Sequence, residues 1–265
     1  AAAASAGGGD FYSHQIANSA RCDSNGGYLK RTPSSAGNRA TWTFSTWVKR
    51  SVFTSGSTQI IYSAGSSGDQ DGYYRLYWYQ DSFIISSANA NFATPSDKFR
   101  DPSAWYHIVW KQGSNATTLY VNNRQVTTAS VSGNTAVNNN VQQVIANNSM
   151  TLGDSPMKGY IAETIMIDGT ALGPDSFGET KNGVWIPKDA SGLTFGTNGF
   201  HLKYESSSDL GNDSSGNNND WTAVDLAAHD QMLDTPTFNS DSNGGNFATY
   251  NPLTKGSYTD LSEGN

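Results

Sequence analysis

The chain has 265 residues, a formal net charge of −7, a single cysteine and only 15% charged residues. That balance, with no Lys/Arg cluster, excludes a duplex nucleic-acid partner, because phosphate binding needs a basic patch that releases counterions. Cys22 cannot form an intrachain disulfide, and no run approaches the ~18 apolar residues of a bilayer span, so the fold must stand on packing and no membrane partner is expected.

In chain order, AAAASAGGGD opens the sequence without the basic segment and apolar core of a signal peptide. Residues 1–20 are expected to be a flexible or assembly arm, or the stump of a processed chain. Cys22 follows in an expected strand, as a small buried hydrophobe. TWTFSTWVKR alternates, with Trp42 and Phe44 on one face and Thr43, Ser45 and Trp47 on the other. IIYSAG is a short buried run, and YYRLYWYQDSFIIS gives two strands around a Gln80-Asp81 turn. WYHIVWKQGSNATTLYVNNRQVTT gives a strand, a turn, a second strand and an Asn122-Asn123 hairpin. MTLGDS and GYIAETIMIDGTAL supply two more strands.

After Gly178 the sequence is looser. VWIP and GFHLKY read as strands, LGNDSSGNNNDW as a polar loop anchored by Trp221, and Thr222 to Leu233 as a short helix capped by Thr222. DSNGG, at Asp23 and again at Asp241, is turn chemistry rather than a repeat. The whole is all-β: a two-sheet antiparallel sandwich over 21–265, with 179–265 a looser segment packing on it. The polar surface is Asn, Ser, Thr and Gly rather than charge, which suits a virion or an extracellular appendage.

Three motifs in order carry a resemblance over roughly Arg21 to Phe177. WTFSTWVKR, the WYHIVW…TTLYVNNRQV hairpin and GYIAETIMIDGTAL resemble the signature of concanavalin A-like, laminin G-like jelly-roll domains. Asn123 stands where the signature usually has Gly, an exchange that Asn's tolerance of left-handed backbone permits. A narrower resemblance, through FATPSDKFRDPSAWYHIVW, DGTALGPDSFGE, GVWIPK and DQMLDTPTFNSDSNGGNFATYNPL, is to fibre or appendage proteins of tailed phages of aquatic bacteria. It implies a natural short form or a fragment of a longer protein, with itself and other virion or appendage proteins as partners.

The sequence carries no recognisable catalytic constellation. A retaining glucanase on such a fold needs two carboxylates about 5 Å apart, and no Glu-x-Asp-x-x-Glu run is present. Glu163 sits where the resemblance places an acid, and is expected to share a face with Ile161 and Ile165 and to bond loop amides. His107 likewise is expected to be a satisfied sheet residue, and no nucleophile elbow, zinc ribbon or phosphate loop occurs. The chain is expected not to be an enzyme and to need no cofactor. Calcium is the one exception weighed: Asp69 and Asp71, and separately Asp209 and Asp213, lie in oxygen-rich loops, against the reading of solvated turn residues.

The sharpest feature is YYRLYWY. Alternation puts Tyr74, Leu76 and Trp78 on one face, taken as the buried one because of Leu76, and Tyr73, Arg75, Tyr77 and Tyr79 on the other. Three fates are open for that outward row: a platform for sugar rings, a subunit interface, or cover by the C-terminal segment. The functional expectation is a non-enzymatic, lectin-like fibre component binding host surface polysaccharide; the alternative is a self-assembling decoration or filament subunit with no glycan.

Overall fold

The computed structural model describes residues 11–22, 26–52, 58–66, 72–88, 90–91, 97–131, 133–148, 155–238 and 244–247. The first strands are β1 (Ser19–Cys22), β2 (Tyr28–Arg31), β3 (Trp42–Arg50), β4 (Thr58–Gly65), β5 (Tyr73–Tyr79), β6 (Ser82–Ser87) and β7 (Ala90–Asn91). There follow β8 (Tyr106–Gln112), β9 (Ala116–Val121), β10 (Arg124–Ser130), β11 (Gln143–Ile145) and β12 (Gly159–Asp168). The last are β13 (Gly178–Lys181), β14 (Val184–Pro187), β15 (Phe200–Leu202), β16 (Thr222–Val224) and β17 (Gln231–Met232).

All named strands pair antiparallel, in two main sheets and a small hairpin. Sheet I runs β10-β9-β8-β3-β12-β1-β17, and sheet II runs β16-β2-β11-β4-β5-β6-β7. Their facing sides bury Trp42, Phe44, Trp110, Leu119, Ile161 and Met166 from sheet I against Leu29, Tyr62, Leu76, Trp78 and Ile85 from sheet II. Aromatic rings fill much of this space: Trp42 meets Trp110 edge to face with centroids 4.9 Å apart, and Phe44 packs on Tyr62 at 4.6 Å. Cys22 is free and buried.

β3 is buried along its whole length, on both faces. The reason is a third layer over the outer side of sheet I. There Val109, Ile165 and Ile167 pack against Phe177, Ala190 and Phe195, while Trp47, Trp105, Tyr160 and Ala162 pack against Ile16 and Trp185. The segment at 11–18 therefore lies against the sheet, with Ile16 buried; residues 1–10 lie outside the described residues. Close approach of β12 to β3 depends on Gly159, where a Cβ would fall 2.0 Å from the Lys49 carbonyl oxygen.

Two hairpin turns form as their residues suggest. Asn122 and Asn123 both take positive φ, 47° and 66°, and the Asn122 side chain accepts from the His107 amide at 2.8 Å. Gln80, at φ 52°, turns β5 into β6 with Tyr79 opposite Ser82.

The helix expected over Thr222 to Leu233 is not formed. Thr222–Val224 pairs with β2 instead, Asp225 has φ 54°, and Ala228–Asp230 is a single 3₁₀ turn leading into β17. Pairing with Lys30 and Leu29 consumes the backbone groups a first helical turn would use, and the Asp230 carboxylate closes its own turn by accepting from the Ala227 amide at 2.9 Å. MTLGDS lies almost wholly outside the described residues, as do the two DSNGG turns apart from Gly26, Gly27, Gly244 and Gly245.

Candidate functional site

β5 lies in sheet II between β4 and β6, and its alternation is the one read from the sequence. Leu76 and Trp78 enter the core, with Tyr74 packed beside them. Tyr77 belongs to a separate outer cluster with Ile60 and Ile84, its direct cross-strand partners on β4 and β6. Tyr73 and Arg75 are half-buried on this outer side, and Tyr79 is 37% exposed.

The row is held together by Arg75. Its guanidinium carbon lies 4.4 Å from the Tyr73 ring centroid and 5.5 Å from that of Tyr77, so a cation is seated between two aromatic faces. One terminal nitrogen donates to the Tyr73 hydroxyl at 3.4 Å, while the buried Nε has no partner among the described residues. Directly opposite on β6, the Ser86 hydroxyl is buried and also has no partner among the described residues.

Beside the row is a depression of about 400 Å³ lined by Thr58, Tyr77, Tyr79, Gln80, Ser82, Ile84 and Lys98. Two aromatic rings, an aliphatic floor and several hydroxyl, amide and ammonium groups make it amphipathic. Its cation is pinned at the rim: Lys98 Nζ lies 2.8 Å from Asp81, whose other oxygen accepts from Arg100 at 2.7 Å. Those two cations pull the Asp81 carboxyl below its usual value, the Lys98 hydrogen bond most of all.

Tyr73, Arg75, Tyr77 and Tyr79 are thus brought together on one face. The sequence reading missed Thr58, Ile60, Ile84 and Lys98, although a two-residue turn at Gln80-Asp81 already places Ile84 and Ser82 opposite Tyr77 and Tyr79. Ile60 and Lys98 come from longer-range pairing and carry no local signal.

The loop candidates fare differently. Asp69 and Asp71 lie outside the described residues. The Asp213 carboxylate accepts from the amides of His201, Ser215 and Asn219 and from the Ser215 hydroxyl, at 2.8–2.9 Å, so it organises its own loop. Asp209 accepts from the Gly211 amide at 3.2 Å. Among the described residues no three His, Cys, Asp or Glu side chains are placed to share a metal ion.

Glu163 differs from its expected surroundings. A bulge opposite Thr46 shifts the alternation of β12, so that Ile161 faces the core between the sheets while Ile165 faces the covering layer. At the bulge Glu163 has φ 47° and is buried. It hydrogen-bonds the His201 imidazole at 2.6 Å rather than loop amides, and His14 Nε2 lies 3.4 Å from the same oxygen. No carboxylate partner for acid/base chemistry stands with it among the described residues.

His107 is a satisfied sheet residue. The Trp185 indole donates to its Nδ1 at 3.0 Å, which places the ring proton on Nε2, directed at Ser45 Oγ 2.9 Å away. Complete burial pushes its pKa down to about 3, so the ring is neutral.

Comparison with known proteins agrees with this architecture. The family described as the concanavalin A-like lectin/glucanases superfamily matches residues 23–176, more than half of the chain, and the chain belongs to that superfamily. Among solved structures, a candidate carbohydrate binding protein from Bacteroides ovatus superposes with a TM-score of 0.52 at 13% identity, over 79% of this chain and 58% of that one. The chain therefore spans a little over half the length of that relative. A heptameric SAP-like pentraxin from Limulus polyphemus aligns at TM-score 0.44 and 15% identity, over 60% of this chain and 80% of that one. Domains LG4-5 of the mouse laminin alpha1 chain align at 0.43 and 10%, over 67% and 47%. No curated protein matches the chain by sequence.

Proposed function

We propose that the chain is a non-enzymatic, lectin-like component of a virion fibre or other surface appendage, and that it binds a host glycan on the outer face of sheet II. The observation that carries this reading is an asymmetry between the two sheets. The outer side of sheet I is buried under the protein's own chain, whereas that of sheet II places half-buried Tyr73 and Arg75 and exposed Tyr79 beside an amphipathic depression that the largely buried Tyr77 also lines. The exposed Tyr79 ring offers a flat surface to the C–H face of a sugar, and the surrounding polar groups can take its hydroxyls. Membership of a superfamily that includes lectins supports the reading, as does the fold shared with the Bacteroides ovatus protein.

Tyr and Arg are also enriched at subunit interfaces, so a homo-oligomer joined through this row, the chain serving only as a structural subunit, is the competing account. A glycan array probed with wild-type protein and with Tyr79→Ala separates them. Binding that is lost in the variant, with an unchanged sedimentation coefficient, supports the glycan site. No binding to any glycan, together with an assembly that Tyr79→Ala dissociates, supports the structural subunit and overturns the proposal.

A further inference from the structure

The ligand class of this face can be narrowed from the distribution of charge. The chain carries 23 acidic residues against 16 basic ones. Yet the seven strands of sheet II contain no Asp or Glu, while they hold Lys30, Arg31 and Arg75. Register places Lys30 on the same outer face as Arg75, through the cross-strand row Lys30, Val144, Ser63, Arg75 and Ser86. Arg31 points the other way and is spent on the Asn198 carbonyl and the Asn219 side chain. An acidic protein has thus kept its acids off one sheet and left two cations on that sheet's outer side.

Arg75 is the group best placed to use that field. Of the other guanidinium groups, Arg21, Arg100 and Arg124 pair with Asp230, Asp81 and Asp97, while Arg31, Arg39 and Arg50 donate to backbone carbonyls. Arg75 has no carboxylate partner among the described residues, and its hydrogen bond to the Tyr73 hydroxyl is long. Seated between the Tyr73 and Tyr77 rings, its plane is oriented before any ligand arrives. A planar, oriented fork of N–H donors with no protein carboxylate matches an anionic oxygen pair arriving from outside.

We infer that the face selects an acidic saccharide, one bearing a carboxylate as in uronic or sialic acids, with Arg75 gripping the carboxylate while the exposed Tyr79 receives the ring. This deepens the glycan reading and rests on it. The test is an array of acidic glycans, each printed beside its carboxyl-reduced neutral counterpart, probed with wild-type protein, Arg75→Gln and Arg75→Lys. Acidic members should bind about ten- to a hundredfold more tightly than their reduced partners, the range of a charge-assisted hydrogen-bonded pair. Arg75→Gln should erase that preference, and Arg75→Lys should keep part of it, having charge without the fork. A melting temperature for each variant confirms that the sandwich is folded. Equal binding of acidic and reduced members, or a preference that Arg75→Gln leaves intact, overturns the acidic-ligand inference and leaves the glycan site standing. Binding to no glycan at all overturns both.

Discussion

Nε2 of His201 lies 2.6 Å from Oε1 of Glu163, at the point on β12 where the edge partner changes from β1 to β15. His14, from the segment entering β1, reaches the same oxygen at 3.4 Å. One buried carboxylate therefore fastens both edge elements across the bulge. Burial alone would raise the Glu163 carboxyl, but the two adjacent imidazoles, His14 and the hydrogen-bonded His201, pull it down to about 2. Burial opposes protonation of His14, but the Glu163 carboxylate beside it outweighs burial and raises its pKa.

The pH dependence follows from those signs. The Glu163 contribution is complete above its unfolded value near 4.5 and is lost as pH falls toward about 2. The His14 contribution is complete below 6.5 and is lost as pH rises through its raised value. Glu163→Gln should cost about 1.5–3 kcal/mol, with the largest deficit between those two unfolded values. Denaturation midpoints of both proteins across the pH range check this; a deficit independent of pH would contradict it.

Lys49 has a second buried role. Its fully buried ammonium donates to Asp234 at 2.8 Å, to the Asn246 side chain at 2.9 Å and to the Phe247 carbonyl at 2.7 Å, while Trp105 donates to the other Asp234 oxygen at 2.9 Å. Lys49→Ala strands the Asp234 carboxylate and should cost about 3–5 kcal/mol. Adding Asp234→Asn should restore part of that loss in urea titrations, because no unpaired charge is then left behind.

Trp110 sits at the centre of the core, wholly buried, with its indole donating to Thr117. Trp110→Ala should cost about 3–5 kcal/mol. A melting temperature equal to the wild type's would contradict the packing described for β8.

At the β9–β10 turn, Asn123→Gly should be neutral or stabilising, since glycine meets φ 66° freely. Asn123→Val should cost about 1–2 kcal/mol. Thermal unfolding of the two variants should bracket the wild type.

Local pattern made much of this legible. The strands at 42–50, 106–121 and 159–168, the Asn122-Asn123 hairpin and the two faces of β5 all follow from alternation and turn chemistry, which act over a few residues. What was hidden depends on contacts far apart in sequence. One inward face was expected for each strand, yet Trp47 and Val109 are buried on the outer side of sheet I because Ile16 and Phe177 cover them. One extra residue at Glu163 reverses the alternation of β12, and no composition signal marks it. The 222–233 stretch has helical spacing, but pairing with β2 prevails. For the candidate site, the Tyr/Arg row was readable, whereas the burial of Tyr77 between Ile60 and Ile84 was not, since the contact with Ile60 depends on pairing with β4.

The central claim, ligand binding on the outer face of sheet II, is tested most directly by hydroxyl-radical footprinting with and without a bound glycan identified on the array. The account predicts that Tyr73 and Tyr79 lose reactivity on binding, while exposed apolar side chains elsewhere, Val184 and Leu233, oxidise as before. Protection at Val184 or Leu233, with Tyr73 and Tyr79 unchanged, would contradict it.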